Sequence, residues 1–72
     1  MNQAVQKKEE YVTIDPDIMH GTPVFKGSRV PIDTLFDYLA TGEPLAEFFD
    51  DFPSVKPEYV EMALNYARKA VA

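Results

Sequence analysis

Seventy-two residues make one domain, able to bury roughly three-fifths of its unfolded surface. With no cysteine and one histidine, His20, the chain has no disulfide framework, no thiol nucleophile and no zinc site built on thiolates or paired histidines. The net charge of −5 is placed unevenly: residues 1–31 carry four bases and four acids, whereas Ile32 to Val55 holds six acids and no base.

Residues 1–10, MNQAVQKKEE, are polar and aperiodic and predict a flexible tail without a secretory signal. No stretch approaches the ~18 apolar residues of a membrane span, so the expected setting is the cytoplasm, with no membrane partner. A β arm is expected over 11–31. Tyr11-Val12-Thr13-Ile14 is rich in β-branched and aromatic residues and stops at Asp15-Pro16-Asp17. Pro23-Val24-Phe25 and Arg29-Val30 flank Lys26-Gly27-Ser28, which predicts two short strands around a tight turn, with Gly27 supplying a positive φ.

After Pro31 the hydrophobic period changes from two to 3.6. Ile32, Leu35, Phe36, Leu39 and Ala40 define one face of a first helix that Gly42 ends. A second helix opens at Pro44, carries Leu45, Phe48, Phe49 and Phe52 on its apolar side, and halts at Pro53. The third opens at Pro57, with Val55 stapled onto Val60 and a core stripe of Val60, Ala63, Leu64, Ala67 and Val71. Residues 11–72 therefore read as a single, mainly α domain, the three helices of 32–72 following the short β arm.

Gly21, Pro23, Gly27-Ser28-Arg29 and Pro31 in the arm, Leu39-Ala40-Thr41-Gly42 at a helix end, Phe52-Pro53, and Ala63-Leu64-Asn65-Tyr66-Ala67 in the last helix form a pattern. That pattern resembles the domain-of-unknown-function family 433. The resemblance implies a homeodomain-like helix-turn-helix fold, in small prokaryotic proteins regarded as antitoxins of PIN-like ribonuclease toxins, and it brings no catalytic residue. Pro44 and Lys56 stand where the family often has a hydroxyl side chain to cap the helix, so at Pro44 a preset φ takes the place of that cap.

An enzymatic reading has little support. His20 lies in a turn without an evident nucleophile or pocket to serve. Asp50 and Asp51 point about 100° apart on a helix, which does not converge them on a metal. No catalytic, metal or cofactor residue is assigned. Two surfaces remain. Asp33 with Asp37, and Glu43 with Glu47, are like-charge pairs at a spacing that opposes helix formation by ~0.2–0.5 kcal/mol each, and Asp50 and Asp51 sit at the unfavourable end of the second helix's dipole. A chain that accepts those local penalties is expected to present an anionic surface to a cationic partner. Tyr59, Met62 and Tyr66 widen the apolar arc of the third helix beyond one packing face, predicting partner contact or a homodimer, or cover by the chain's own arm.

These nine residues form the expected contact set for a toxin, in which the acids compete with RNA for a basic groove. The alternative is a DNA-binding transcriptional regulator using Lys26 and Arg29 in the arm and Lys56, Asn65, Arg68 and Lys69 on the third helix, with Lys7 and Lys8 as further backbone contacts. The acids of the second helix oppose DNA binding by a monomer, so operator DNA is expected to bind weakly and to an oligomer. Arg29 has a competing structural role as the partner of Asp15 or Asp17.

Overall fold

The computed structural model describes residues 10–71; the expected tail, Lys7 and Lys8 included, lies outside the described residues apart from Glu10. Two short strands, β1 (Val12–Thr13) and β2 (Val24–Phe25), pair antiparallel with Val12 opposite Phe25 and Thr13 opposite Val24. Three helices follow: α1 (Ile32–Ala40), α2 (Leu45–Asp51) and α3 (Pro57–Val71). The chain is thus mainly helical, with a small two-stranded sheet ahead of its three helices, as the periodicity predicts.

Arg29-Val30 does not form the second strand of the expected hairpin. The chain turns at Phe25–Ser28, where the Ser28 amide donates to the Phe25 carbonyl at 3.0 Å and Gly27 takes a φ of +78°. Ser28 is the brace: its hydroxyl donates to the Phe25 carbonyl at 2.8 Å and accepts from the Val30 amide at 3.0 Å. With the turn tied in this way, β2 finds its strand partner upstream in β1, and the returning chain contributes only a single bridge between Val24 and Pro31. The link between the strands also contains a 3₁₀ turn, Met19–Gly21, next to the bend that Gly21 and Pro23 bracket in the sequence. Met19 and His20 are left-handed there, at φ +52° and +57°, a conformation that costs an L-residue about 1–2 kcal/mol.

Each helix begins or ends where its local chemistry requires. α1 stops in a Schellman motif: the Glu43 amide donates to the Tyr38 carbonyl at 3.0 Å, the Gly42 amide to Leu39 at 3.1 Å, and Gly42 adopts the φ of +82° that the motif demands. Pro44 lies just before α2 with an extended ψ and no side-chain cap, so the helix starts one residue later than expected. Lys56 precedes α3, and its carbonyl accepts the first helical amide bond, from Tyr59 at 3.0 Å.

The core contains Tyr11, Phe25, Leu35, Phe48, Val55, Val60 and Ala63, drawn from the arm and all three helices. Phe48 is its hub. Its ring meets those of Phe25, Tyr38, Phe49 and Phe52 at centroid distances of 5.2–6.1 Å, mostly edge to face. Val55 and Val60 are both buried, as the staple predicts. Two stripe expectations fail at helix C-termini. Leu39 and Ala40 at the end of α1, and Val71 at the end of α3, are exposed because no element of the described chain reaches beyond the core to cover the last turns.

Candidate functional site

The acidic segment lies on the outside of α1, α2 and the turn between them. Asp33, Asp37, Glu43, Glu47, Asp50 and Asp51 are all exposed, and the sequence places no lysine or arginine among them. One of the six is engaged. The Tyr38 hydroxyl, reaching from α1, donates to Asp51 Oδ2 on α2 at 2.5 Å. That bond, with lesser contributions from desolvation and the charges of Asp51, Glu43 and Glu47, pushes the Tyr38 hydroxyl up to about 12, since ionising it would set a phenolate against carboxylates. Tyr38 is thereby fixed twice, by its hydroxyl and by edge contacts with Phe48 and Phe52.

A groove of about 370 Å³ runs between the arm, α1 and α3. Its walls are mostly apolar: Tyr11, Val12, Ile14 and Pro23 from the arm, Ile32 and Phe36 from α1, and Ala63, Tyr66 and Ala67 from α3, with Asp33 among them. Ile14 is 66% exposed and Tyr66 45% exposed. The site therefore combines an apolar cleft with one carboxylate, Asp33, at its wall, while the other five acids stand exposed elsewhere on α1, α2 and the turn between them. Among the described residues no group of three His, Asp or Glu side chains is placed to hold a metal ion.

The expected contact residues divide. Of the α3 arc, Tyr59 and Met62 are half-buried and pack against the chain's own core, so they are not open anchors; Tyr66 alone reaches the groove. The residues assigned to DNA are spread apart. Lys26 and Arg29 are exposed at the arm's turn, Lys56 lies over the Tyr59 ring with its ammonium 5.6 Å from the centroid, and Arg68 donates to Asn65 Oδ1 at 3.3 Å in the last turns of α3 beside exposed Lys69. At 1.5 Å per residue, Lys56 and Arg68 stand about 18 Å apart along the helix. Asp15 is occupied by its own turn, accepting the Asp17 amide at 2.8 Å. His20 is exposed on the left-handed turn.

Sequence reasoning missed the Tyr38–Asp51 bond, and it offered the arm as an alternative cover for the third helix without naming the arm residues that wall the groove. The bond joins residues thirteen apart on different helices, and the identity of the wall residues depends on strand register; neither leaves a local signal.

These features describe a small three-helix domain with a β arm, whose distinctive chemistry is on its surface. The chain belongs to the family described as protein of unknown function (DUF433), whose model matches residues 12–67. That span runs from β1 into α3 and includes every residue of the expected toxin contact set, whereas Arg68 and Lys69 lie beyond it. The chain is similar to the uncharacterized protein y4eO of Sinorhizobium fredii (strain NBRC 101917 / NGR234), with 38% identity over 58 residues, covering 81% of this chain and 26% of the relative. It therefore spans about a quarter of that relative's length. It is also similar to the crystal structure of a DUF433 member protein from Anabaena variabilis ATCC 29413, with a TM-score of 0.68 and 26% identity over 81% of this chain and 57% of that one.

Proposed function

We propose that this chain is a cytoplasmic, non-enzymatic binding module of antitoxin type, which neutralises a PIN-like ribonuclease by covering its RNA-binding groove. The carrying observation is the set of six exposed acids on α1, α2 and the turn between them, without an intervening base in the sequence, one of which, Asp33, lines an apolar cleft. A nuclease groove that binds RNA is basic, and a surface of this kind competes for it electrostatically while apolar side chains supply buried area. Tyr66 and Phe36 serve as the anchors, with Asp33 at the groove and Asp37, Glu43, Glu47, Asp50 and Asp51 elsewhere on α1, α2 and the turn between them; Tyr59 and Met62 act indirectly, by seating α3 on the core.

Operator binding is a secondary activity in this reading. Exposed Arg68 and Lys69 at the end of α3 and Lys26 and Arg29 on the arm favour it, but their separation makes one chain a weak DNA ligand. The test is co-purification of the chain with the product of the neighbouring gene, followed by an RNA-cleavage assay of that product alone and in the complex. Complex formation with loss of cleavage is expected. Absence of both, or salt-sensitive binding to upstream DNA without any nuclease contact, would overturn the proposal.

A further inference from the structure

The outer edge of β1 carries hydrogen-bonding groups that the rest of the described chain does not use. The Lys26 amide donates to the Tyr11 carbonyl at 2.8 Å, so Tyr11 and Lys26 are a hydrogen-bonded pair of the ladder. Val12 and Phe25, next in register, are then a non-hydrogen-bonded pair, and the Val12 amide and carbonyl turn away from β2. Bonds on the far side of β2 obey the same alternation: the Phe25 amide donates to Val30 at 2.9 Å and the Pro23 carbonyl accepts from Ile32 at 3.0 Å. Carried one step on, to Ile14 opposite Pro23, the alternation turns the Ile14 amide and carbonyl outward as well. β2 is closed on its far side by the Val24–Pro31 bridge, whereas β1 has no strand beside it among the described residues. Next to this edge stands Ile14, 66% exposed, at the wall of the groove that Phe36 and Tyr66 complete.

We propose that a second copy of this chain occupies the edge. β1 of one copy pairs antiparallel with β1 of the other about a two-fold axis, Thr13 against Thr13 and Val12 of each against Ile14 of its mate, giving a continuous sheet of order β2-β1-β1-β2. In that register every outward amide and carbonyl of Val12 and Ile14 gains a partner. Side chains two apart on a strand share a face, so Ile14 of each copy leaves water beside Val12 of the other, at the mouth of the groove.

Charge selects a second copy at this place. Residues 11–31 hold two bases and two acids, so the arm is neutral, while each chain carries −5 overall through its helices. Two copies repel wherever their acidic helices meet, and the arm, beside which Asp33 is the one helix carboxylate lining the groove, is the face along which they approach with least opposition. The pairing also removes the open edge from each copy at once, and an open edge invites disordered association. It leaves the outer faces of α1 and α2 to a different partner, so dimerisation and nuclease binding stand or fall separately.

The test is sedimentation of the full chain from about 1 μM to about 1 mM, with amide hydrogen exchange read by NMR at each end of the range. The expected result is a shift from one chain to two, with protection at the Val12 and Ile14 amides rising in step. Ile14→Glu alters an exposed side chain that the isolated fold does not need, and it is expected to weaken the dimer about tenfold or more with an unchanged circular dichroism spectrum. Val12→Pro, which removes an outward donor, should do the same; if either variant fails to fold, the exchange measurement on the unaltered chain decides. A chain still monomeric at about 1 mM, a dimer indifferent to Ile14→Glu, or protection at the two amides independent of concentration, as when residues 1–9 of the same chain cover the edge, would overturn the proposal.

Discussion

The Tyr38 hydroxyl ties the acidic surface to the core, because one side chain touches the hub phenylalanine and a carboxylate of the face proposed to meet the partner. Its pKa of about 12 in the folded chain exceeds the ordinary phenol value of 10.0, so the neutral form is favoured by folding. The resulting stability is fully present below pH 10.0 and is lost as the pH rises through about 12. Tyr11, raised chiefly by burial and further by Tyr66, adds to the slope in the same direction. Urea midpoints measured across that window should fall more steeply for the unaltered chain than for Tyr38→Phe; parallel curves would contradict the bond. Phe48 sets the second expectation at this scale. It is fully buried among four other rings, and Phe48→Ala should cost about 3–5 kcal/mol. A domain of this length has ~4–11 kcal/mol in all, so the variant should be partly or wholly unfolded at room temperature by circular dichroism.

At the scale of elements, α1 carries the conflict between folding and surface. Asp33 and Asp37 repel at i, i+4 near helix positions where neither has a basic neighbour. Asp37→Lys turns that repulsion into an acid-before-base pair and places a cation toward the helix C-terminus, for a gain of roughly 0.4–1 kcal/mol. Thermal melting should rise by about 2–8 °C, while affinity for a basic partner falls. A variant stabilised without loss of binding would show that Asp37 is a bystander. The helices were legible because each signal is local: the Ile32–Leu35–Phe36 spacing, the glycine in the Schellman turn, and the Val55–Val60 staple across the start of α3 all lie within a few residues. The strands were less so. Gly27 announced a turn, but the Ser28 bridge that diverts Arg29-Val30 from the ladder, and the choice of β1 as the partner of β2, depend on contacts distant in sequence. The same limit applied to the site. Exposure of the acids followed from their charge, whereas a helical wheel cannot distinguish Tyr66, which borders the groove, from Tyr59 and Met62, which lean on the core.

For the whole molecule, a core gathered around Phe48 leaves a domain with its chemistry outside: carboxylates on α1 and α2, an apolar groove under the arm, and dispersed cations. Membership in DUF433 fixes the kin of this fold, and the surface argues for what it does. Association with a basic protein should be steered by charge, so reversal of exposed acids should slow binding and flatten its salt dependence. The most direct measurement is a titration of the proposed PIN-like ribonuclease partner with this chain at two ionic strengths, following RNA cleavage, and its repetition with Asp37→Lys combined with Glu47→Lys. Saturable inhibition that weakens with salt, and that falls about tenfold or more in the charge-reversed chain, is the expected result. Cleavage that continues unchanged at saturating chain, or inhibition equal in both proteins at both salts, would contradict the account.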